Sequence, residues 1–276
     1  MNMTQFCINQ KLKEHNIKAK KALGQNFIFD ENILRKIVGF AGDLTKGQVL
    51  EIGAGPGGLT QAILEAGAKN VVAIEKDPRF LPILTELSLT FPVRLSVLIQ
   101  DALKIDLREI NDWPLRIIAN LPYQISTVLL VKLLTQEICS TNCTSLTLMF
   151  QKEVAERIVA GPGSKNRSKL SLVTELYTNA KIVLNVPAGC FIPRPKVDSK
   201  LIHFDVLPVP KYRFDPSKLN NILRYAFGQK RKMLKSSLKP LYPNVKKALN
   251  SANVIETQRP ETLELKKFCE LSLIAL

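Results

Sequence analysis

Between residues 22 and 206 the chain alternates two kinds of hydrophobic pattern. Short apolar runs, "QVLEIG", "NVVAIEKD", "VRLSVLIQD", "PLRIIAN" and "SLTLMF", read as buried strands. Segments of helical spacing lie among them: Ile33, Leu34, Ile37 and Val38 in "ENILRKIVGFA", then "LTQAILEAG", closed by Gly67, and "QKEVAERIVAG". Strands that alternate with helices predict an α/β domain with a mostly parallel sheet covered on both faces. "AKIVLNV" and "SKLIHFDV" add a late pair of strands.

The pattern changes near "DVLPVPKYRFDP", where Pro208, Pro210 and Pro216 punctuate the chain. Beyond it strand signals stop, and "PSKLNNILRYAFG", "KRKMLKSSLK", "NVKKALNSA" and "RPETLELKKFCELSLIAL" read as helices. Two domains are expected: an α/β domain over 1–207 and a small, basic, all-helical domain over 208–276.

Composition narrows the class. With 276 residues, 46% of them hydrophobic, the chain can bury one substantial core and a smaller second one. No apolar run reaches the roughly 18 residues of a membrane span. The first fifteen residues lack the apolar centre of a secretory signal, so a soluble cytoplasmic protein is expected. Five scattered cysteines, Cys7, Cys139, Cys143, Cys190 and Cys269, read as reduced thiols. With only His15 and His203 beside them, no metal site is expected.

The net charge of +15 is unevenly placed. Residues 211–247 hold eleven Lys and Arg against one acid, and residues 1–21 hold five Lys against one acid. Residues 22–210 are almost neutral, with 20 basic and 18 acidic residues. Basic ends on a neutral body point to a polyanion partner, nucleic acid above all.

The ends of the expected strands carry the candidate chemistry. "LEIGAGPGGLT" places Gly53, Gly55 and Gly58 in a G-x-G-x-x-G pattern between a strand and a helix. Alone this fits a dinucleotide or plain close packing. Glu75 ends the next strand, where a carboxylate can accept both hydroxyls of a ribose. Asp101 ends the third and can accept from an adenine amine. Asn120 ends the fourth, followed by Leu121, Pro122 and Tyr123. Ligands of open α/β sheets bind beyond these strand ends. A nicotinamide enzyme has no use for Asn-Leu-Pro-Tyr, whereas methyl transfer from S-adenosylmethionine to an exocyclic amine does. The adenine amine is a poor nucleophile because its lone pair is delocalised into the ring. Two acceptors on its hydrogens, the Asn120 side-chain carbonyl and the Leu121 backbone carbonyl, favour a more pyramidal nitrogen. Pro122 fixes the backbone, and Tyr123 can stack on an extruded base.

"LGQNFI", "EIGAGPGGLT", "AIEKD", "QDAL", "NLPYQIST", "MFQKEVAERIVAGPGSK" and "FIPRPKVDS" occur in this order. The set resembles the ribosomal RNA adenine N6-dimethyltransferases, specifically the small-subunit (16S) kasugamycin-resistance methyltransferase family. The resemblance implies a Rossmann-like S-adenosylmethionine-dependent methyltransferase sheet with a small helical C-terminal domain. It implies that Asn26 and Ile28 cover the cofactor. Gly53 would lie at its methionine end, Glu75 at the ribose and Asp101 at the adenine, with Gly55, Lys76, Ala102 and Asn120 also among the cofactor-binding residues. Asn120 would stand at the transfer point, with Tyr123 and Phe191 sandwiching the target base. Lys230, Arg231, Lys232 and Lys235 would meet RNA. The implied reaction dimethylates two adjacent adenosines in a hairpin loop near the 3′ end of 16S rRNA, on an assembling small subunit, with a monomeric enzyme. Rival readings are the sister family that methylates large-subunit rRNA in macrolide resistance, a non-catalytic nucleic-acid-binding factor and, more distantly, a nicotinamide-dependent oxidoreductase. The sequence departs from the family at Ala54, at Gln124 and in "SKNRSKLSL", which lacks a Tyr-Gly pair.

Overall fold

The computed structural model describes residues 8–110, 114–137, 142–229 and 232–274. Its strands are β1 (Phe27–Ile28), β2 (Gln48–Ile52), β3 (Val71–Glu75), β4 (Leu95–Ile99), β5 (Leu115–Ala119), β6 (Cys143–Gln151), β7 (Thr178–Val186), β8 (Phe191–Ile192) and β9 (Ser199–Val206). The helices are α1 (Ile8–Glu14), α2 (Glu31–Phe40), α3 (Gly58–Glu65), α4 (Leu81–Thr90), α5 (Tyr123–Lys132), α6 (Lys152–Ile158), α7 (Lys169–Tyr177), α8 (Pro216–Gly228), α9 (Leu234–Ser237), α10 (Val245–Ser251) and α11 (Leu265–Leu273).

The chain divides into two compact units, Met1–Ala155 with Ala180–Val206, and Glu156–Asn179 with Leu207–Leu276. The first holds a seven-stranded sheet in the order β4-β3-β2-β5-β6-β9-β7. The pairs from β4 through β6 are parallel, and β9 runs antiparallel to β6. Every residue of β2 and β3 is buried, as befits interior parallel strands with helices on both faces. The edge strand β4 is half exposed. A separate two-stranded ribbon pairs Phe27 with Ile192 and Ile28 with Phe191.

The helices begin where the sequence supplies their caps. The Asp30 side chain accepts from the Asn32 and Ile33 amides at the head of α2, and Leu34, Ile37 and Val38 form that helix's buried face. Gly57, at φ 92°, makes the left-handed turn that leads β2 into α3. The core joins α2 and α3 to strands β2 and β3 through Ile37, Val49, Ile63 and Val71, and reaches Phe191 and Leu201. All of these are essentially removed from water. At about 25 cal/mol per Å² of apolar surface, each such side chain contributes roughly 2 kcal/mol.

The second unit is helical. Leu219, Ile222, Leu223 and Ala226 of α8 are buried, as are Leu265, Phe268, Cys269 and Leu271 of α11. The Phe227 and Phe268 rings lie 5.9 Å apart. Arg167, 4% exposed, donates to the Ala160 carbonyl and pairs with Glu175 at 2.9 Å, so its buried charge is matched.

Among the described residues no helix is long and apolar enough to cross a membrane. Among the same described residues, no cluster of three or more histidine, cysteine or acidic side chains is arranged to hold a metal ion. Cys143, Cys190 and Cys269 are free thiols, while Cys7 and Cys139 lie outside the described residues.

Candidate active site

The carboxyl ends of β2, β3 and β5, and the segment after β4, open into one cavity of about 250 Å³. Residues 22–28 and the head of α5 complete its wall. It gathers Asn26, Ile28, Gly53, Gly55, Glu75, Lys76, Asp101, Ala102, Asn120, Leu121, Pro122 and Tyr123. Phe191 is not among the lining residues. It is 2% exposed, paired with Ile28 and packed in the core of the first unit. Lys232 is exposed and Lys235 lies 3.7 Å from Glu256, both in the second unit. Lys230 and Arg231 lie outside the described residues.

The glycine loop is shaped by backbone needs. Gly53 and Gly55 hold φ of 79° and 54°, a region costly to residues with a Cβ. At Gly55 a Cβ would also come within 3.1 Å of the Phe27 ring. The backbone thus runs bare beneath the cavity, and the Gly55 amide points to Glu75 Oε2 at 2.8 Å.

Glu75 accepts from the Gly55 amide and, through Oε1, from the Asp77 amide at 2.7 Å. These bonds fix the carboxylate and leave further lone pairs for a ligand's hydroxyls. Burial raises its pKa, and the backbone donors oppose that shift. Asp101 accepts from Lys76 Nζ at 2.7 Å and from the Leu103 amide at 3.0 Å. The Lys76 contact is the main reason that its pKa lies below the ordinary carboxylate value.

The Asn120 side-chain Nδ2 donates to the Asn26 backbone carbonyl at 3.1 Å. This contact, between residues 94 apart, fixes which way the amide points and leaves Oδ1 as an acceptor. Pro122, at φ −54°, is the N-cap of α5, and Tyr123 is its first residue. The Tyr123 hydroxyl lies 2.7 Å from Ser199 Oγ, which anchors the far end of the ring. Burial raises the phenol pKa, opposed by that hydrogen bond.

Three participants have no counterpart among the residues singled out from the sequence. Gln25 takes the Lys20 amide on Oε1 and donates to Asp77 Oδ2 at 2.9 Å, tying the segment ahead of β1 to the end of β3. Asp77 is clasped by Arg79, which holds its carboxyl at about 2. Glu51 is a carboxyl in the interior strand β2 and lines the cavity. Its only signal in the sequence is an acid inside the apolar run "QVLEIG".

The model of the family described as ribosomal RNA adenine dimethylase matches residues 16–275. A Paracoccus denitrificans protein named ribosomal RNA small subunit methyltransferase A is 46% identical over 265 residues, covering 96% of this chain and 94% of its own length. A protein of the same name from Cereibacter sphaeroides is 47% identical, with 96% and 95% covered. Among solved structures, a dimethyladenosine transferase from Plasmodium falciparum superposes with a TM-score of 0.71 at 28% identity, covering 89% of this chain and 95% of its own. The 23S rRNA methyltransferase ErmE shares the fold, with a TM-score of 0.66 at 22% identity over 89% and 97% of the two chains.

Proposed function

The chain belongs to the ribosomal RNA adenine dimethylase family, and from that premise we propose that it is an S-adenosylmethionine-dependent enzyme that dimethylates N6 of two adjacent adenosines in the 3′-terminal hairpin loop of 16S rRNA during small-subunit assembly. The observation that carries the cofactor assignment is the sign of the cavity's charge. Two carboxylates, Glu75 and Asp101, face it against one ammonium, Lys76. Such a lining disfavours the pyrophosphate of a dinucleotide and favours a ligand that carries a sulfonium and an ammonium. The bare glycine backbone and the paired acceptors also suit a nucleoside with free hydroxyls and an amine.

When bound, S-adenosylmethionine supplies a methyl group activated by its sulfonium. Glu75 would accept from the ribose hydroxyls and Asp101 from the adenine amine. Asn26 and Ile28 would cover the bound molecule, with Gly53, Gly55, Lys76 and Ala102 bordering it. With Nδ2 committed to Asn26, Asn120 turns Oδ1 to the target amine, and the Leu121 carbonyl is the second acceptor. Two acceptors on the amine hydrogens direct its lone pair toward the methyl group. No strong base is needed, because the amine proton becomes acidic once nitrogen is alkylated. Orientation and charge complementarity supply most of the rate.

Tyr123 offers its ring to the extruded adenine. Phe191, buried against β1, supports the segment that covers the cofactor; a direct sandwich contact requires its ring to leave that packing. Lys230, Arg231, Lys232 and Lys235 grip RNA phosphates. The enzyme works as a cytoplasmic monomer on an assembling subunit.

The test is transfer of labelled methyl groups to unmodified small subunits and, separately, to large-subunit rRNA, with the bases identified by mass spectrometry. Dimethyladenine at two adjacent small-subunit positions is expected. Label on a large-subunit adenine would move the enzyme to the macrolide-resistance type. Bound S-adenosylmethionine without transfer would leave a binding factor.

A further inference from the structure

Glu51 has no role in the chemistry described so far, and its surroundings are unusual. It sits in β2 opposite Ala73 of β3 and Ile118 of β5, and is 1% exposed. Its Oε2 is buried and takes no well-formed hydrogen bond, and the Thr60 hydroxyl on α3, buried and equally unsatisfied, is a donor close enough only to favour its charged form weakly. Leaving a buried carboxylate oxygen so poorly satisfied is costly, and the cost is avoided by holding a proton. The charged groups around it are few. Glu75 on β3 adds a like charge, while Lys76 and Asp101 face the same cavity and are paired with each other. Neither α3 nor β5 brings a cation to the Glu51 side chain.

We infer that Glu51 is a cofactor-binding residue, neutral in the ligand-free protein, that ionises against the positive charge of the cofactor's methionine portion, so that binding releases a proton. The inference rests on the S-adenosylmethionine reading above. In the ligand-free protein, burial first, with Glu75 adding and Thr60 opposing, pushes the carboxyl up to about 8. An entering cation makes the ionised form the stable one, and the proton passes to solvent. An ammonium and a sulfonium can each play that part. S-adenosylhomocysteine, which keeps the ammonium and lacks the sulfonium, tells them apart.

The experiment is calorimetric titration of the whole protein with S-adenosylmethionine between pH 5.5 and 7.0, where the cofactor's own amine stays protonated, in buffers of different ionisation enthalpy. Release of close to one proton is expected. The dissociation constant should fall by up to about tenfold per pH unit as pH rises. Glu51→Gln should bind more weakly at pH 7.0, release almost no proton and lose the pH slope. A slope that persists in Glu51→Gln would assign the proton to Glu75 and overturn the inference. Wild-type binding without proton release would overturn it too, whether or not the variant folds. No binding at any pH would defeat the cofactor reading itself, a different failure. If the slope survives with S-adenosylhomocysteine, the ammonium is the partner; if it vanishes, the sulfonium is.

Discussion

The cavity of the first unit and the charged surface of the second use electrostatics in opposite ways. In the cavity, few groups are placed singly, with Glu51 and Glu75 buried and each hydrogen bond aimed. In the second unit, Arg224, Lys232, Lys239, Lys246 and Lys247 are exposed. A desolvated group acts at short range through a medium that screens weakly, so its loss is felt alone. An exposed lysine is screened within about 8–10 Å at physiological salt, and its effect emerges only in sum. The cavity therefore should be fragile to one substitution and indifferent to salt, and the helical surface the reverse.

The sharpest test of the fragile half is Asn120→Ala. Removing an acceptor aimed at the reacting amine should lower kcat by about 10²–10³-fold, while S-adenosylmethionine affinity stays within a few fold. A variant that lost cofactor affinity and rate in equal measure would make Asn120 a cofactor residue first. Next in size is Asp101→Ala. Loss of a charged acceptor should weaken S-adenosylmethionine binding by roughly 10- to 100-fold, from the 1.5–3 kcal/mol of such a bond, measured by calorimetry with no RNA present. Unchanged affinity would refute the adenine assignment and leave Lys76–Asp101 an ordinary surface ion pair.

The same contrast explains what could be read in advance. Strands β2, β3 and β5 were legible because interior parallel strands are continuous apolar runs, and the polar residues at or just past strand ends, Glu75 on β3, Asp101 after β4 and Asn120 after β5, mark where the sheet opens. The short ribbon of β1 and β8 was not, since two residues carry no periodicity. Helix α7 passes directly into β7 at Thr178 with no glycine or proline between them, so no breaker marks the change. Gln25 and Asp77 are 52 residues apart, and Asn120 and Asn26 are 94 apart; contacts of that span depend on tertiary packing alone. Glu51 could have been noticed as an acid in an apolar strand, but only burial and an unpartnered oxygen give it meaning. Phe191 shows the converse. A family role suggests an exposed ring, and its neighbours make it core.

The smallest expected effect tests the diffuse half. Each lysine that neutralises an RNA phosphate releases condensed counterions, so RNA affinity falls with salt in proportion to the number of contacts. Replacing Lys232 by Gln should change affinity modestly and flatten the slope of log affinity against log salt by about 0.7–0.9. Replacing Lys235 should do less, because it already lies 3.7 Å from Glu256 and part of its charge is spent there. Removing Glu256 instead should steepen the slope, since that carboxylate also lies 4.0 Å from Lys246. Binding measured at three or more salt concentrations separates this from a folding defect, which lowers affinity without altering the slope. If neither lysine moves the slope, the basic face is solvated surface, and recognition of RNA must come from other groups.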